Sequence, residues 1–331
     1  MSTIRDVAER AGVSRSTVSR VFLQPHVVAE DARRRVLAAA EALGYEPNPV
    51  ARSLRRGLTG NLGLVVPDIA NPFFPPLIKA VQRQSRRHQM ALFVADSDEH
   101  VDDELALVRA MGKQVDGLIL ASPRLPQDDL RRLLESTPTV VINRRLDGIP
   151  AVVTTAAQGL TQAVEHLVAL GHRDLVYLAG PEHAYSNEQR RRALYAACES
   201  RGVRTAELGP FEPYFESGTR AADLVLAADT SAVVAYNDQI ALGLMARLAE
   251  RGCRVGSALS LIGIDDTALA RMASPALTTV RVPAAAAGAA AVRLLVDLLA
   301  GKDVAGAPVE LATELVVRSS TAAPRRSAAT A

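Results

Sequence analysis

The residues best equipped for chemistry stand within the first twenty-two positions. Arg15, Ser16, Thr17, Ser19 and Arg20 place short hydroxyls and two guanidiniums along one predicted helix. A guanidinium fork matches the two acceptors on a guanine edge, and hydroxyls suit phosphate oxygens. Such an outer face fits a helix lying in a DNA major groove. Neighbouring residues set its position. Ile4, Val7, Ala8 and Ala11 recur at helical spacing and predict a first helix. Gly12 supplies a left-handed turn that other residues resist. Ser14 is placed to cap the second helix, and Val18 and Val21 give it an inward side. A plain surface pair of helices would account for the turn but not for this outer face.

Charge is distributed accordingly. Residues 1–56 hold ten arginines, no lysine and six acidic residues, a net +4, while the whole chain is only +2. The basic excess therefore belongs to the predicted helix-turn-helix, as a DNA-reading head on a near-neutral body requires. The full length of 331 residues allows two or three domains. Cys198 and Cys253 stand far apart in no metal-ligand spacing, so no metal or other cofactor is expected and a reduced setting is the default. The N-terminus is polar and charged within ten residues, and the Ala-rich stretch around Pro283 to Ala291 is too short to span a bilayer. A cytoplasmic protein with no membrane partner is the expectation.

Residues 1–46 read as three helices. The third runs from about Glu30 to Leu43, with Val36, Leu37, Ala40 and Leu43 inward and Gly44 as its cap. Residues 47–60 form a short hinge helix and linker: Pro49 suits a first helical turn, and Val50 to Arg56 follows. One or two turns do not hold alone, because helix nucleation is costly. Beyond Asn61, apolar runs alternate with helical segments. The runs are Leu62–Val66, Ala91–Ala95, Gly117–Ala121, Thr139–Ile142, Leu175–Ala179, Ala232–Ala235 and Leu259–Ile264. Unbroken runs of this kind predict strands buried on both faces of a parallel sheet with helical crossovers. The expected fold is α/β, an all-α helix-turn-helix head followed by a two-lobed, doubly wound parallel-sheet core over 61–320. Lobe one is read as about 61–160 and lobe two as about 161–320, with Glu310–Arg318 as a last strand. Residues 321–331 read as a disordered tail.

The chain resembles the lactose-repressor (LacI/GalR) family of transcription regulators along essentially its whole length. The matching motifs begin with Ile4-Arg5-Asp6-Val7-Ala8 and Thr17-Val18-Ser19-Arg20-Val21. Further on come Leu43-Gly44-Tyr45, Pro47-Asn48, Ala51-Arg52-Ser53-Leu54, Asn71-Pro72-Phe73-Phe74 and Leu170-Gly171-His172-Arg173. Asn237-Asp238, Gly263-Ile264-Asp265-Asp266 and Leu277-Thr278-Thr279-Val280 complete the series. Departures are Leu23 where the family has Asn, Ala29 and Ala32 for Ser and Thr, and Thr155-Ala156 for Asp-Asn. The body this implies is similar to periplasmic sugar-binding proteins.

What the resemblance implies for the head is a palindromic duplex operator read by a homodimer, with Thr3, Ser14, Arg15, Ser16, Thr17, Ser19, Arg20, Ala51, Arg52 and Leu54 as DNA contacts. Leu54 matches a leucine that wedges between base pairs, and Ala51 lets two hinge helices approach. For the body it implies a small-molecule effector, expected to be a sugar, with a nucleobase as the alternative. Ligands of doubly wound sheets sit beyond the carboxyl ends of the strands. That places Asn71, Phe73, Phe74, Asp96, Ser122, Asn143 and Arg144 on lobe one, and Arg190, Phe211, Asn237, Asp238 and Asp265 on lobe two. Capping a helix is an equal reading for Asp238, and Arg144 in the cleft would favour an anionic sugar. Helices Leu77–Arg86 and Ala286–Leu299 are expected at the dimer surface. A transport protein would need export, and an enzyme would need a nucleophile, phosphate-loop or zinc motif that the sequence lacks. His166 and His172 read as structural, and Asp265 and Asp266 as pointing apart.

Overall fold

A computed structural model describes residues 2–45, 58–134, 137–304, 306 and 308–324. The hinge positions Ala51, Arg52 and Leu54 lie outside the described residues. Two compact units divide the chain, residues 1–59 and 60–331.

The first unit holds three helices: α1 (Ile4–Ala11), α2 (Arg15–Leu23) and α3 (Glu30–Ala42). Val7, Ala8, Ala11, Val18, Val21, Val36, Ala39 and Ala40 form its core. Gly12 closes α1 at φ +63°, and its N–H reaches the Ala8 and Glu9 carbonyls. That left-handed angle frees α2 to start at Arg15, three residues later, under the Ser14 cap. Ala29 offers α3 no side-chain cap. One inward expectation is corrected: Leu37 is 43% exposed, and Ala39 takes the core position instead. Three and four residues from Val36, Ala39 and Ala40 share its face, whereas Leu37 is turned about 100° away.

The second unit is two parallel sheets flanked by helices. Strands β1 (Asn61–Val66), β2 (Ala91–Asp96), β3 (Gly117–Ala121), β4 (Thr139–Ile142), β5 (Ala151–Thr155) and β11 (Val309–Ala312) make sheet one, in the order β11-β5-β4-β3-β1-β2. Sheet two runs β12-β10-β9-β8-β6-β7, from β6 (Asp174–Leu178), β7 (Arg204–Leu208), β8 (Ala232–Ala235), β9 (Ser260–Asp265), β10 (Thr278–Arg281) and β12 (Glu314–Val316). Every described strand pairing is parallel except β10 with β12. The intervening helices are α4 (Phe74–Arg87), α5 (Val101–Gly112), α6 (Gln127–Leu134), α7 (Ala156–Leu170), α8 (Tyr185–Glu199), α9 (Phe215–Ala227), α10 (Asp238–Glu250), α11 (Ala268–Met272) and α12 (Ala284–Leu299).

Sequence and structure differ in several places. The lobes are not consecutive halves. The chain leaves sheet one after β5, returns after β10 through α12 and β11, and crosses once more at Thr313 into β12. The predicted last strand is thus two short strands, one in each sheet. Thr313 ties the crossings together: its Oγ1 donates to the Thr155 carbonyl at 2.8 Å and accepts from the Gly159 N–H at 3.2 Å. Strand β2 is a sheet edge and is not buried, with Phe93 43% and Val94 38% exposed. Residues 321–324 of the expected tail are seated on lobe two, where the Ala322 carbonyl accepts from Ser260 Oγ at 2.9 Å. Within the chain, helices α4 and α12 also pack against each other. A Cβ at Gly288 of α12 would stand 2.7 Å from the Leu77 carbonyl of α4.

Candidate functional site

In the head, the N-terminal end of α2 presents its polar face openly. Thr3, Ser14, Arg15, Ser16 and Arg20 are exposed and Thr17 is half-buried. Ser14 Oγ accepts from the Thr17 N–H at 3.1 Å and lies 2.7 Å from Ser16 Oγ. Thr3 caps α1 in a reciprocal arrangement with Asp6. Four of the seven arginines described in the head are paired: Arg5 with Glu9, Arg33 with Glu30, and Arg34 and Arg35 with Asp31. Among the described residues no ion pair holds Arg15 or Arg20, so both guanidiniums are available to an outside anion. Ser19 departs from expectation. It is buried, with 9% exposed, and shares a helical face with Phe22, which packs against the head core.

In the body, the carboxyl ends of both sheets converge on one polar cavity of about 370 Å³. It is lined by Asn71, Phe73, Phe74, Glu99, Ser122, Arg124 and Asn143 from lobe one, and by Ser186, Arg190, Pro213, Tyr236, Asn237 and Asp265 from lobe two. Eight of the twelve positions expected from sequence are in this lining. After β1 the chain turns on Asn71, whose Oδ1 accepts from the Phe73 N–H at 3.0 Å. This sets Phe73 and Phe74 edge to face, ring centres 5.1 Å apart. Ser122 and Asn143 end β3 and β4 with φ of +50° and +58°, which bends both side chains out of their strands. Asn143 donates to Ser122 Oγ at 3.3 Å and accepts from Thr154 Oγ1 at 2.7 Å.

Lobe two contributes a charged floor. Arg190 donates from Nη1 to the Tyr236 carbonyl at 2.6 Å and from Nη2 to Asp265 Oδ1 at 3.2 Å. Its guanidinium lies 4.6 Å over the Tyr236 ring. Burial pushes the Asp265 carboxyl up to about 7; Arg190 opposes this and the Asp238 charge adds to it. Asn237 caps α10 by accepting from the Ile240 N–H at 2.9 Å and donates to the Pro213 carbonyl at 3.0 Å. A second cavity of about 440 Å³ adjoins the first, shares Asn143, Ser186 and Arg190, and is walled by Leu160, Ile264, Val280 and Val282. Ala156, one of the two departures from the family pair, lines it, while the Thr155 carbonyl serves the Thr313 crossing.

Four expected positions do not line either cavity. Asp96 is exposed and accepts from the Ile69 and Asp98 N–H groups. Arg144 is turned to the Pro123 and Leu125 carbonyls at 3.1 and 2.7 Å, so it offers no cleft cation. Phe211 packs at the margin of the lobe-two core. Asp238 is fully buried and accepts from Thr279 Oγ1 at 2.6 Å, Thr267 Oγ1 at 3.0 Å and the Thr267 N–H at 2.8 Å. Burial pushes it up to about 6. Asp266 faces away from the cleft, held by Arg281 Nε at 2.7 Å and by Arg318. His166 and His172 bond the seated tail through Thr321 and the Ala322 carbonyl, and burial holds both below the ordinary imidazole range. Sequence reasoning missed Glu99, Arg124, Ser186, Pro213 and Tyr236. Arg124 follows β3 by three residues, a position that the rule of strand carboxyl ends could have flagged.

A head for reading a groove, joined to a two-lobed body with a polar cleft, defines a ligand-responsive DNA-binding protein. Residues 3–48 match the bacterial regulatory proteins of the lacI family, and residues 164–321 match the periplasmic binding protein-like domain. The ribose operon repressor of Halalkalibacterium halodurans is 32% identical over 97% of each chain. The lac repressor dimer bound to operator and the anti-inducer ONPF superimposes with a TM-score of 0.87 at 29% identity, covering 97% of this chain and 99% of that one. A LacI-family regulator from Enterococcus faecium with bound ribose gives 0.72 at 25% identity, over 80% of this chain and all of that one. The chain belongs to the lacI family of bacterial regulatory proteins. Among the described residues no helix is long and apolar enough to cross a membrane.

Proposed function

We propose that this protein is a transcriptional repressor that binds a near-palindromic operator as a homodimer and is controlled by a sugar in its cleft. The observation that carries the reading is the pairing, in one chain, of exposed Arg15 and Arg20 on α2, held by no ion pair among the described residues, with a cleft that brings amides, carboxylates and guanidiniums together with an aromatic pair. Paired hydroxyls suit the carboxylate and guanidinium edges, and the C–H face of a sugar ring suits Phe73 and Phe74. The ribose complex of a relative supports that choice. Exposed apolar residues offer surfaces for the second copy: Phe93 and Val94 on β2, Leu224 and Leu226 on α9, and Leu269 and Met272 on α11. The site acts by binding and not by catalysis, and the protein works in the cytoplasm. The effector shifts the equilibrium between lobe arrangements, and operator affinity changes by the same factor as effector affinity.

The test is a mobility shift on the chain's own upstream DNA, repeated across a panel of sugars. A specific shift that one sugar abolishes or strengthens is expected. Arg15→Ala should weaken the preferred operator by about 1–3 kcal/mol and relax base choice at one position per half-site. Binding that ignores sequence, or Arg15→Ala lowering affinity for all duplexes equally, overturns the groove assignment.

A further inference from the structure

The polar cavity holds an ion pair that the reading above leaves without a task. Glu99 and Arg124 both belong to lobe one, and both line the cavity. Arg124 donates from Nε to Glu99 Oε2 at 2.6 Å and from Nη2 to Glu99 Oε1 at 3.0 Å. Its remaining nitrogen, Nη1, donates to the Ser122 carbonyl at 2.8 Å. Each side chain is only 9% exposed. A two-armed fork of this kind fixes the plane of both groups. On the other lobe, Asp265 meets Arg190 at 3.2 Å. Each guanidinium in the cavity lining is therefore already opposed by a carboxylate of its own lobe. Burial works against the Arg124 charge, and Tyr236 and Glu99 together hold its pKa above the ordinary value.

We propose that the Glu99–Arg124 pair sets the charge specificity of the cleft, admitting an uncharged polyol and rejecting sugar phosphates and sugar acids; this rests on the sugar reading above. A neutral diol can use the pair as it stands. Its hydroxyls donate to carboxylate lone pairs that the fork leaves over and accept from the guanidinium N–H groups not yet engaged. An anionic ligand has two options, both unfavourable. It can take Arg124 from Glu99, which strands a buried carboxylate. Or it can sit beside Glu99 and Asp265, where like charges repel strongly in a partly desolvated cleft. A site built to grip an anion would hold a guanidinium without a carboxylate opposite it. Among the described residues lining this cavity there is none, and Arg144 is turned away to backbone carbonyls.

Calorimetric titration of the full-length protein tests this. The probes are ribose, glucose, galactose and fructose, their phosphate esters, and inorganic phosphate, at a pH above 8 where Asp265 is ionised. The expected result is that at least one neutral sugar binds about a hundredfold more tightly than its own phosphate ester, and that Glu99→Gln narrows this ratio about tenfold or more. If Glu99→Gln fails to fold by circular dichroism, the wild-type ratio and competition by inorganic phosphate decide. A phosphate ester that binds more tightly than its parent, competition by inorganic phosphate, or an unchanged ratio in folded Glu99→Gln overturns the role of the pair alone. If no neutral sugar binds, the sugar reading itself falls and this inference falls with it.

Discussion

Replacing Arg190 by Met removes the cleft's lobe-two cation while keeping most of its apolar length. In the native chain Arg190 is 12% exposed and Asp265 6% exposed, with 3.2 Å between Nη2 and Oδ1. Burial raises the Asp265 carboxyl from 3.8 to about 7, with Arg190 opposing the rise. Between those two values the folded protein holds a proton that the unfolded chain has released. The stability contributed by this group is therefore fully present below the unfolded value and falls as pH rises through about 7. Without Arg190 the carboxyl climbs further. In alkaline solution the native state must then bury an unpaired charge, and losing one partner of a buried pair costs about 3–5 kcal/mol. Once the variant's carboxyl binds its proton, each further pH unit of acidification removes about 1.4 kcal/mol of that loss, until the wild-type carboxyl is protonated as well near pH 7. Urea unfolding followed by far-ultraviolet circular dichroism should show Arg190→Met losing about 3–5 kcal/mol near pH 8.5, and about 2 kcal/mol less than that near pH 6. The double variant Arg190→Met, Asp265→Asn should recover most of the loss at high pH, because no charge is left stranded. An equal loss at both pH values, or a double variant as weak as the single one, would refute the pairing as the source of the effect.

Three further outcomes follow from the packing. Gly243→Ala on α10 would set a Cβ 1.9 Å from the Phe215 carbonyl of α9, and backbone cannot yield as a side-chain tip does, so thermal melting should report a loss of about 3 kcal/mol or more. Ala29→Ser should give α3 the cap it lacks and stabilise the head by about 1 kcal/mol in its own unfolding transition; no gain would mean that the Ala29 backbone does not suit a capping hydroxyl. Ser320→Ala deletes a buried hydroxyl that accepts from the Thr278 N–H at 2.8 Å and donates to the Leu261 carbonyl at 2.6 Å. Denaturant unfolding should show it costing about 1–3 kcal/mol, and no change would place those bonds outside the stability of lobe two.

Local signals were legible wherever a residue's effect depends on its near neighbours in sequence. Gly12, Ser14 and the apolar spacing of α1 and α2 describe the head turn because caps and helical faces act over three or four residues. Seven apolar runs marked buried strands for the same reason, although β2 carries such a run at an exposed edge. Strands β5, β7 and β10 went unread. Thr278-Thr279 are buried and Thr154-Thr155 half-buried hydroxyls whose partners lie far along the chain, and β7 is an exposed edge strand whose run is largely polar. The family resemblance added the cleft positions, and the fold brought eight of them together.

The sequence by itself determined the class of the head and the α/β character of the body, which follow from local spacing, and, through strand ends and the family resemblance, eight of the residues that line the cleft. Only the tertiary structure decided that three crossings join the lobes, that Asp238 braces Thr267 and Thr279 instead of capping a helix or facing ligand, that Arg144 turns to backbone, and that Glu99 finds Arg124. Each of those outcomes pairs groups more than fifteen residues apart. Their partners are chosen by chain closure and by the demand that every buried charge be met, and no window of sequence contains both sides of that choice.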